Sequence, residues 1–139
     1  MRIAFGSDER TALTDAVAAD LEARGHELVL VGPPGGGDEQ WAEMGRQVGA
    51  LVASGECATG VCFCWTGTGA SIAANKVPGV RAALAWDPWI ARGARLWNDA
   101  NVLAMSLKRL APDVAVEVLV AFLAVEGPDP SEAANIALL

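Results

Sequence analysis

The sequence predicts an α/β fold: a five-stranded parallel sheet with helices on both faces. Three observations predict it. Short β-rich runs alternate with longer runs of helical period along the chain. The runs read as strands are close to wholly apolar, as strands covered on both faces are. The 139 residues are 53% hydrophobic and 19% charged, which excludes disorder and supplies the core of one domain.

Each element has its own signal. Arg2–Gly6 (RIAFG) reads as a short buried strand. In Thr11–Arg24, Leu13, Val17 and Leu21 recur at i, i+4 and i+8, one stripe of a helix, and Gly25 is placed to end it. Glu27–Val31 is the second strand. Gly32–Gly37 (GPPGGG) reads as a loop, neither helix nor strand. Gln40–Ala53 is helical with Met44, Val48, Leu51 and Val52 inward. Val61–Trp65 (VCFCW) is the third strand, buried on both faces, with Cys62 and Cys64 on one side. Thr66–Gly69 breaks it, and Ala70–Lys76 is the next helix. Val80–Ala85 is the fourth strand. Asp87 as N-cap and Pro88 in the first turn open a helix to about Trp97. Asn101–Ser106 is the fifth strand. Pro112–Val125 is a nearly all-apolar helix, expected to be covered on two sides. Residues 1–139 form one domain, with 127–139 a Pro-led arm or short extra helix.

Composition narrows the function. The net charge is −7 and the pI about 4.5, which speaks against nucleic acid and anionic membrane as partners. The single His, His26, excludes a His-rich metal centre. Cys57, Cys62 and Cys64 lack the spacing of a disulfide framework and read as thiols of a reducing cytoplasm. MRIAFGSDE is not a secretory signal, and no apolar run approaches the roughly 20 residues of a membrane span. Neither a metal nor a cofactor is expected.

In open α/β sheets, ligands bind beyond the carboxyl ends of the strands. The strongest signal there is Thr66-Gly67-Thr68-Gly69-Ala70-Ser71, a Gly-rich turn between a buried strand and a helix start. Its amides suit an anion or a developing oxyanion, although a tight turn without a ligand explains the glycines equally well. Cys64 stands just before the turn, where a thiol can act as base or nucleophile; a small buried residue is the plainer account. Asp8 and Glu9 follow the first strand and are placed to hold hydroxyls or move protons, or to cap the next helix. His26 falls at the opposite end of the sheet.

The segment Cys64–Ala83 (CWTGTGASIAANKVPGVRAA) closely resembles the signature of the ribose-5-phosphate isomerase B / galactose-6-phosphate isomerase family. Asn98–Ala104 (NDANVLA) is similar to a second family motif, Arg2–Asp8 to its first strand, and Ala53–Glu56 also fits. The resemblance covers residues 1 to 125. It implies a three-layer α/β/α Rossmann-like fold, a homodimer or tetramer with sites near the subunit interface, and metal-free aldose–ketose isomerisation. It makes Cys64 the base that moves a proton between C1 and C2. Thr66 and the Gly67–Ser71 amides become the enediolate hole, and Asp8 and Asn98 the contacts to the substrate.

The departures are as informative. The family's Ser-Asp-His is Ser7-Asp8-Glu9 here, and its Cys-Gly-Thr-Gly is Cys64-Trp65-Thr66-Gly67. The His associated with sugar-ring opening is Trp97, the His after the fourth strand is Trp86, and a Tyr near the second helix is Trp41. The C-terminal arginines that grip the substrate phosphate are missing from Gly127–Asn135. Arg10, Arg92, Arg95, Lys108 and Arg109 are the cations left to replace them. Trp65, Trp86 and Trp97, with Trp89 one turn along its helix, map near the family's pocket, where indoles stack on sugar faces or simply fill volume. The sequence therefore predicts proton transfer through an enediolate on a sugar-like or hydroxy-carbonyl substrate lacking the usual phosphate. In that reading Cys64, Thr66, Asp8 and Glu9 are catalytic. Gly67, Thr68, Gly69, Ala70, Ser71, Asn98, Trp65, Trp86, Trp97, Trp41 and Arg10 bind substrate. The alternatives are a ribose-5-phosphate isomerase with substitute arginines, and a non-catalytic or silent subunit.

Overall fold

A computed structural model describes residues 1–139. The strands are β1 (Arg2–Ser7), β2 (Glu27–Val31), β3 (Thr59–Cys64), β4 (Ala82–Leu84) and β5 (Val102–Ser106). The helices are α1 (Ala12–Ala23), α2 (Trp41–Ala53), α3 (Thr68–Asn75), α4 (Pro88–Asn98), α5 (Pro112–Leu123) and the short α6 (Ala133–Ile136). All strand pairs are parallel, in the order β2-β1-β3-β5-β4. This is the expected α/β/α Rossmann-like fold.

Period-2 alternation sorts the strand side chains into two cores. Ile3, Phe5, Val61 and Phe63 join residues of α1, α4 and α5 in one layer. Ala4, Cys62 and Cys64 join Met44 and Val48 of α2 and Ala70 and Ala74 of α3 in the other. The two cysteines thus share a face, and Cys64 points to the side where α2 and α3 begin. Thr11 and Thr14 cap α1 reciprocally, and Asp87 caps α4 by accepting the Ile90 N–H at 2.9 Å.

Boundaries differ in places. β3 starts at Thr59 rather than Val61 and ends at Cys64, so Trp65 belongs to the turn. β4 is three residues, shorter than Val80–Ala85, because it pairs only with β5 at the sheet edge. Helix α3 starts two residues earlier than expected, with Gly67 as its N-cap. The Gly32–Gly37 loop holds one 3₁₀ turn, Pro33–Gly35, which the two prolines pre-set. Helix α5 buries Ala115, Val118, Leu119 and Phe122 and leaves Val114, Val116 and Val120 half-buried. The tail is the short-helix alternative: it folds back on α4, with the Asp129 N–H donating to the Leu96 carbonyl at 2.8 Å. No helix is long and apolar enough to cross a membrane.

Candidate active site

The strand order reverses between β1 and β3, because β1 leads outward to β2 while β3 leads the other way. A crevice opens beyond the carboxyl ends at such a switch point. Here it is a cleft of about 540 Å³ lined by Asp8, Glu9, Gln40, Trp41, Cys64, Trp65, Thr66, Thr68 and Gly69. One chain therefore gathers all four expected catalytic residues with two of the indoles.

The turn after β3 is built around the sulfur. Gly67 adopts φ +77°, and its N–H donates to Cys64 Sγ at 3.2 Å. The bond fixes the position of the thiol of a residue only 5% exposed. The Thr66 and Thr68 hydroxyls lie 2.6 Å apart, and the Thr68 N–H reaches Thr66 Oγ1 at 3.4 Å. The Ser71 N–H is committed to the Gly67 carbonyl. This leaves Gly69 and Ala70, in the first turn of α3, as the amides without an intrahelical acceptor. Ala70 is fully buried, so the expected anion hole narrows from five amides to that of Gly69, which lines the cleft at the positive end of the helix. Gly69 has a second role. A Cβ there would stand 2.8 Å from Trp41 Cε3, so its bareness lets the Trp41 indole lie against the turn as a wall of the cleft.

Asp8 and Glu9 behave differently. Asp8 Oδ1 is buried without a hydrogen-bond partner. Burial, and secondarily the Glu9 charge, push the Asp8 carboxyl above its ordinary value of 3.8. It holds a proton to higher pH than an ordinary aspartate, which suits a group that shuttles one. Glu9 is fixed: its carboxylate accepts the Trp65 indole N–H at 2.6 Å, and its backbone bonds Ser7 Oγ in both directions.

The Asp8 shift has a stability consequence. Between its ordinary value and its raised folded value, the folded chain binds more protons than the unfolded one. Stability therefore falls as pH rises through that window. Asp8→Asn is expected to melt above the wild type at about pH 7, with the gain vanishing below the ordinary value of 3.8. Thermal melts across that range check it; a gain independent of pH contradicts it.

Other expected site residues lie elsewhere in a single chain. Arg10 pairs with Asp15 at 2.8 Å and lines a separate cavity between α1 and β2. Arg95 donates to the Ala100 carbonyl at 2.7 Å and faces Asp99. Ala70 is buried and Ser71 half-buried, its hydroxyl turned to the Ala82 carbonyl. Asn98 and Trp97 end α4, on the opposite face of the sheet from α2 and α3. Trp97 packs edge-on against Trp89 at 5.4 Å, and Trp86, Trp89 and Trp97 are all exposed. His26 stands 3.4 Å from the Met1 amino group, at the far end of the sheet. One residue of the cleft was missed, and the contacts of a second were not foreseen. Gln40, the N-cap of α2, lines the cleft. Lys108, read as a residue at the carboxyl end of the sheet and a substitute phosphate ligand, places Nζ 4.7 Å from the Trp65 ring centroid and 3.8 Å from Glu9 Oε2.

Comparison with known proteins agrees with the fold. The family model described as Ribose/Galactose Isomerase matches residues 3–137. Ribose-5-phosphate isomerase B of Escherichia coli K12 is 36% identical over 123 residues, covering 88% of this chain and 83% of the relative. D-erythrulose-4-phosphate isomerase of Pectobacterium atrosepticum is 30% identical over 128 residues, covering 91% and 84%. The structure of Clostridium thermocellum ribose-5-phosphate isomerase B superposes with a TM-score of 0.92 at 37% identity, covering 99% of this chain and 94% of that one.

Proposed function

The chain belongs to the ribose/galactose isomerase family of aldose–ketose isomerases, and we propose that it isomerises a polyhydroxy carbonyl compound lacking the family's usual phosphate. Cys64 takes the proton from the carbon next to the carbonyl. The electron pair moves onto the carbonyl oxygen, giving an enediolate that the Gly69 amide and the Thr66 hydroxyl receive. The sulfur returns the proton to the neighbouring carbon, while Asp8 moves the hydroxyl proton between the two oxygens. Glu9 accepts from a further hydroxyl.

The observation that carries the missing phosphate is the charge of the cleft. It is lined by two carboxylates and no guanidinium, whereas phosphate recognition draws on Arg or Lys. Arg10 and Arg95 are already engaged by Asp15 and by Asp99 with the Ala100 carbonyl. Trp in place of the ring-opening His favours a substrate that needs no ring opening. The three exposed indoles of Trp86, Trp89 and Trp97 support a homodimer that covers them; in it Trp97 and Asn98 would approach the cleft of the other subunit.

Paired assays test this: D-erythrose against D-erythrose 4-phosphate, and D-ribose against D-ribose 5-phosphate. The expected result is a kcat/KM at least about tenfold higher for the unphosphorylated sugar of a pair, about 1.4 kcal/mol of discrimination. A preference for the phosphorylated sugars overturns it in favour of the second reading. That reading, ordinary sugar-phosphate isomerisation, is favoured by the activities of the relatives.

A further inference from the structure

Three loops from neighbouring strands converge on one indole at the edge of the cleft. Trp65 follows β3. Its N–H donates to Glu9 Oε1 at 2.6 Å, after β1, and its ring takes the Lys108 ammonium at 4.7 Å, after β5. Its carbonyl accepts from Ser106 Oγ at 2.6 Å and from the Lys108 N–H at 3.2 Å. Lys108 closes the triangle 3.8 Å from Glu9 Oε2. Glu9 and Trp65 line the cleft; Lys108 does not. Every polar atom of the indole and both of its neighbouring charges are therefore accounted for within the triangle.

We propose that Glu9, Trp65 and Lys108 form a specificity clamp, in which Lys108 is a positioning residue that holds the indole as a fixed plate for the C–H face of an uncharged sugar. By spending its charge on Glu9 and the ring, Lys108 is also withheld from any phosphoryl group. The proposal rests on the reading of an unphosphorylated substrate. The contacts matter together. The Lys108–Glu9 pair is half exposed at 3.8 Å, and an exposed pair alone contributes about 0–1 kcal/mol. A cation on an exposed indole adds about 0.5–1 kcal/mol. The two charges also act on the ligand in opposite senses: Glu9 accepts sugar hydroxyls, while a released Lys108 attracts an anion.

Two variants separate positioning from general structure. Lys108→Met is expected to raise KM for the better unphosphorylated sugar about fivefold with kcat within about twofold, since the Cys64 turn is untouched. Lys108→Arg, whose guanidinium also stacks and pairs, is expected to restore KM. Loss of kcat with KM unchanged, no change in either, or failure of Arg to rescue overturns the clamp. Glu9→Gln releases Lys108 without moving it far. Calorimetric titration with inorganic phosphate is expected to show at least about tenfold tighter binding to Glu9→Gln than to the wild type. Equal phosphate affinity overturns the clamp. The titration needs no turnover, so if no unphosphorylated sugar reacts, the substrate reading fails while the clamp is still decided by phosphate binding.

Discussion

Replacing Cys64 by Ala is expected to lower kcat about 10³-fold while the chain still folds, the loss typical when a positioned general base is removed. Both halves follow from the setting of the residue. Cys64 is 5% exposed, at the end of a strand buried along its length. Removing one sulfur atom there costs a small cavity, on the order of 1 kcal/mol. Its one polar partner is the Gly67 N–H at 3.2 Å, and leaving that one buried amide unpaired costs about 1–3 kcal/mol. The chemistry has no substitute. Asp8 also lines the cleft, after β1, and in the proposed reaction it serves the hydroxyls rather than the carbon. Steady-state kinetics beside a thermal melt separate the outcomes. A folded variant that keeps more than about a tenth of kcat removes Cys64 from the role of base.

Gly67→Ala is expected to cost the chain both stability and activity. At φ +77° a side chain costs about 1–2 kcal/mol in backbone strain. The added Cβ would also stand 2.5 Å from Leu84 Cδ1 and 2.9 Å from the carbonyl carbon of Met105. The leucine can rotate away; the β5 backbone cannot. Overpacking of this kind adds about 1–3 kcal/mol, for a total of about 2–5 kcal/mol. The same shift moves the amide that fixes Cys64 and the first turn of α3, so activity should fall further than stability alone explains. Chemical denaturation gives the stability loss, and kcat measured well below the melting point gives the activity loss. A Gly67→Ala protein with wild-type stability would mean that the turn is looser than its geometry implies.

Much of the site was legible because it obeys two simple rules. Alternation along VCFCW placed Cys64 on one face, and the end of that strand placed it beside a glycine turn. Asp8 and Glu9 follow from the same rule at β1. What lay beyond reach was the pairing of residues distant in sequence. Glu9, Trp65 and Lys108 are joined across 56 positions from Glu9 to Trp65 and a further 43 to Lys108, and no local pattern encodes that contact. The same limit applies to Arg10, whose place after β1 suggested the cleft but whose charge is claimed by Asp15 on the next helix. Trp97 and Asn98 match the family's motif, yet α4 carries them on the opposite face of the sheet in a single chain. In the proposed homodimer they would reach the cleft of the other subunit. At α3 the helix start was misplaced by two residues, because Thr68 and Gly69 are weak helix formers that the Gly67 cap draws into the first turn.

The central claim is that an intact enediolate site works here on an unphosphorylated substrate. Proton magnetic resonance in D₂O tests it most directly, by following the carbon-bound hydrogen beside the carbonyl of D-erythrose and of D-erythrose 4-phosphate. The account predicts enzyme-dependent deuterium incorporation into erythrose, faster than into its phosphate and absent with Cys64→Ala. Exchange confined to the phosphorylated sugar, or exchange into erythrose that survives Cys64→Ala, would contradict it.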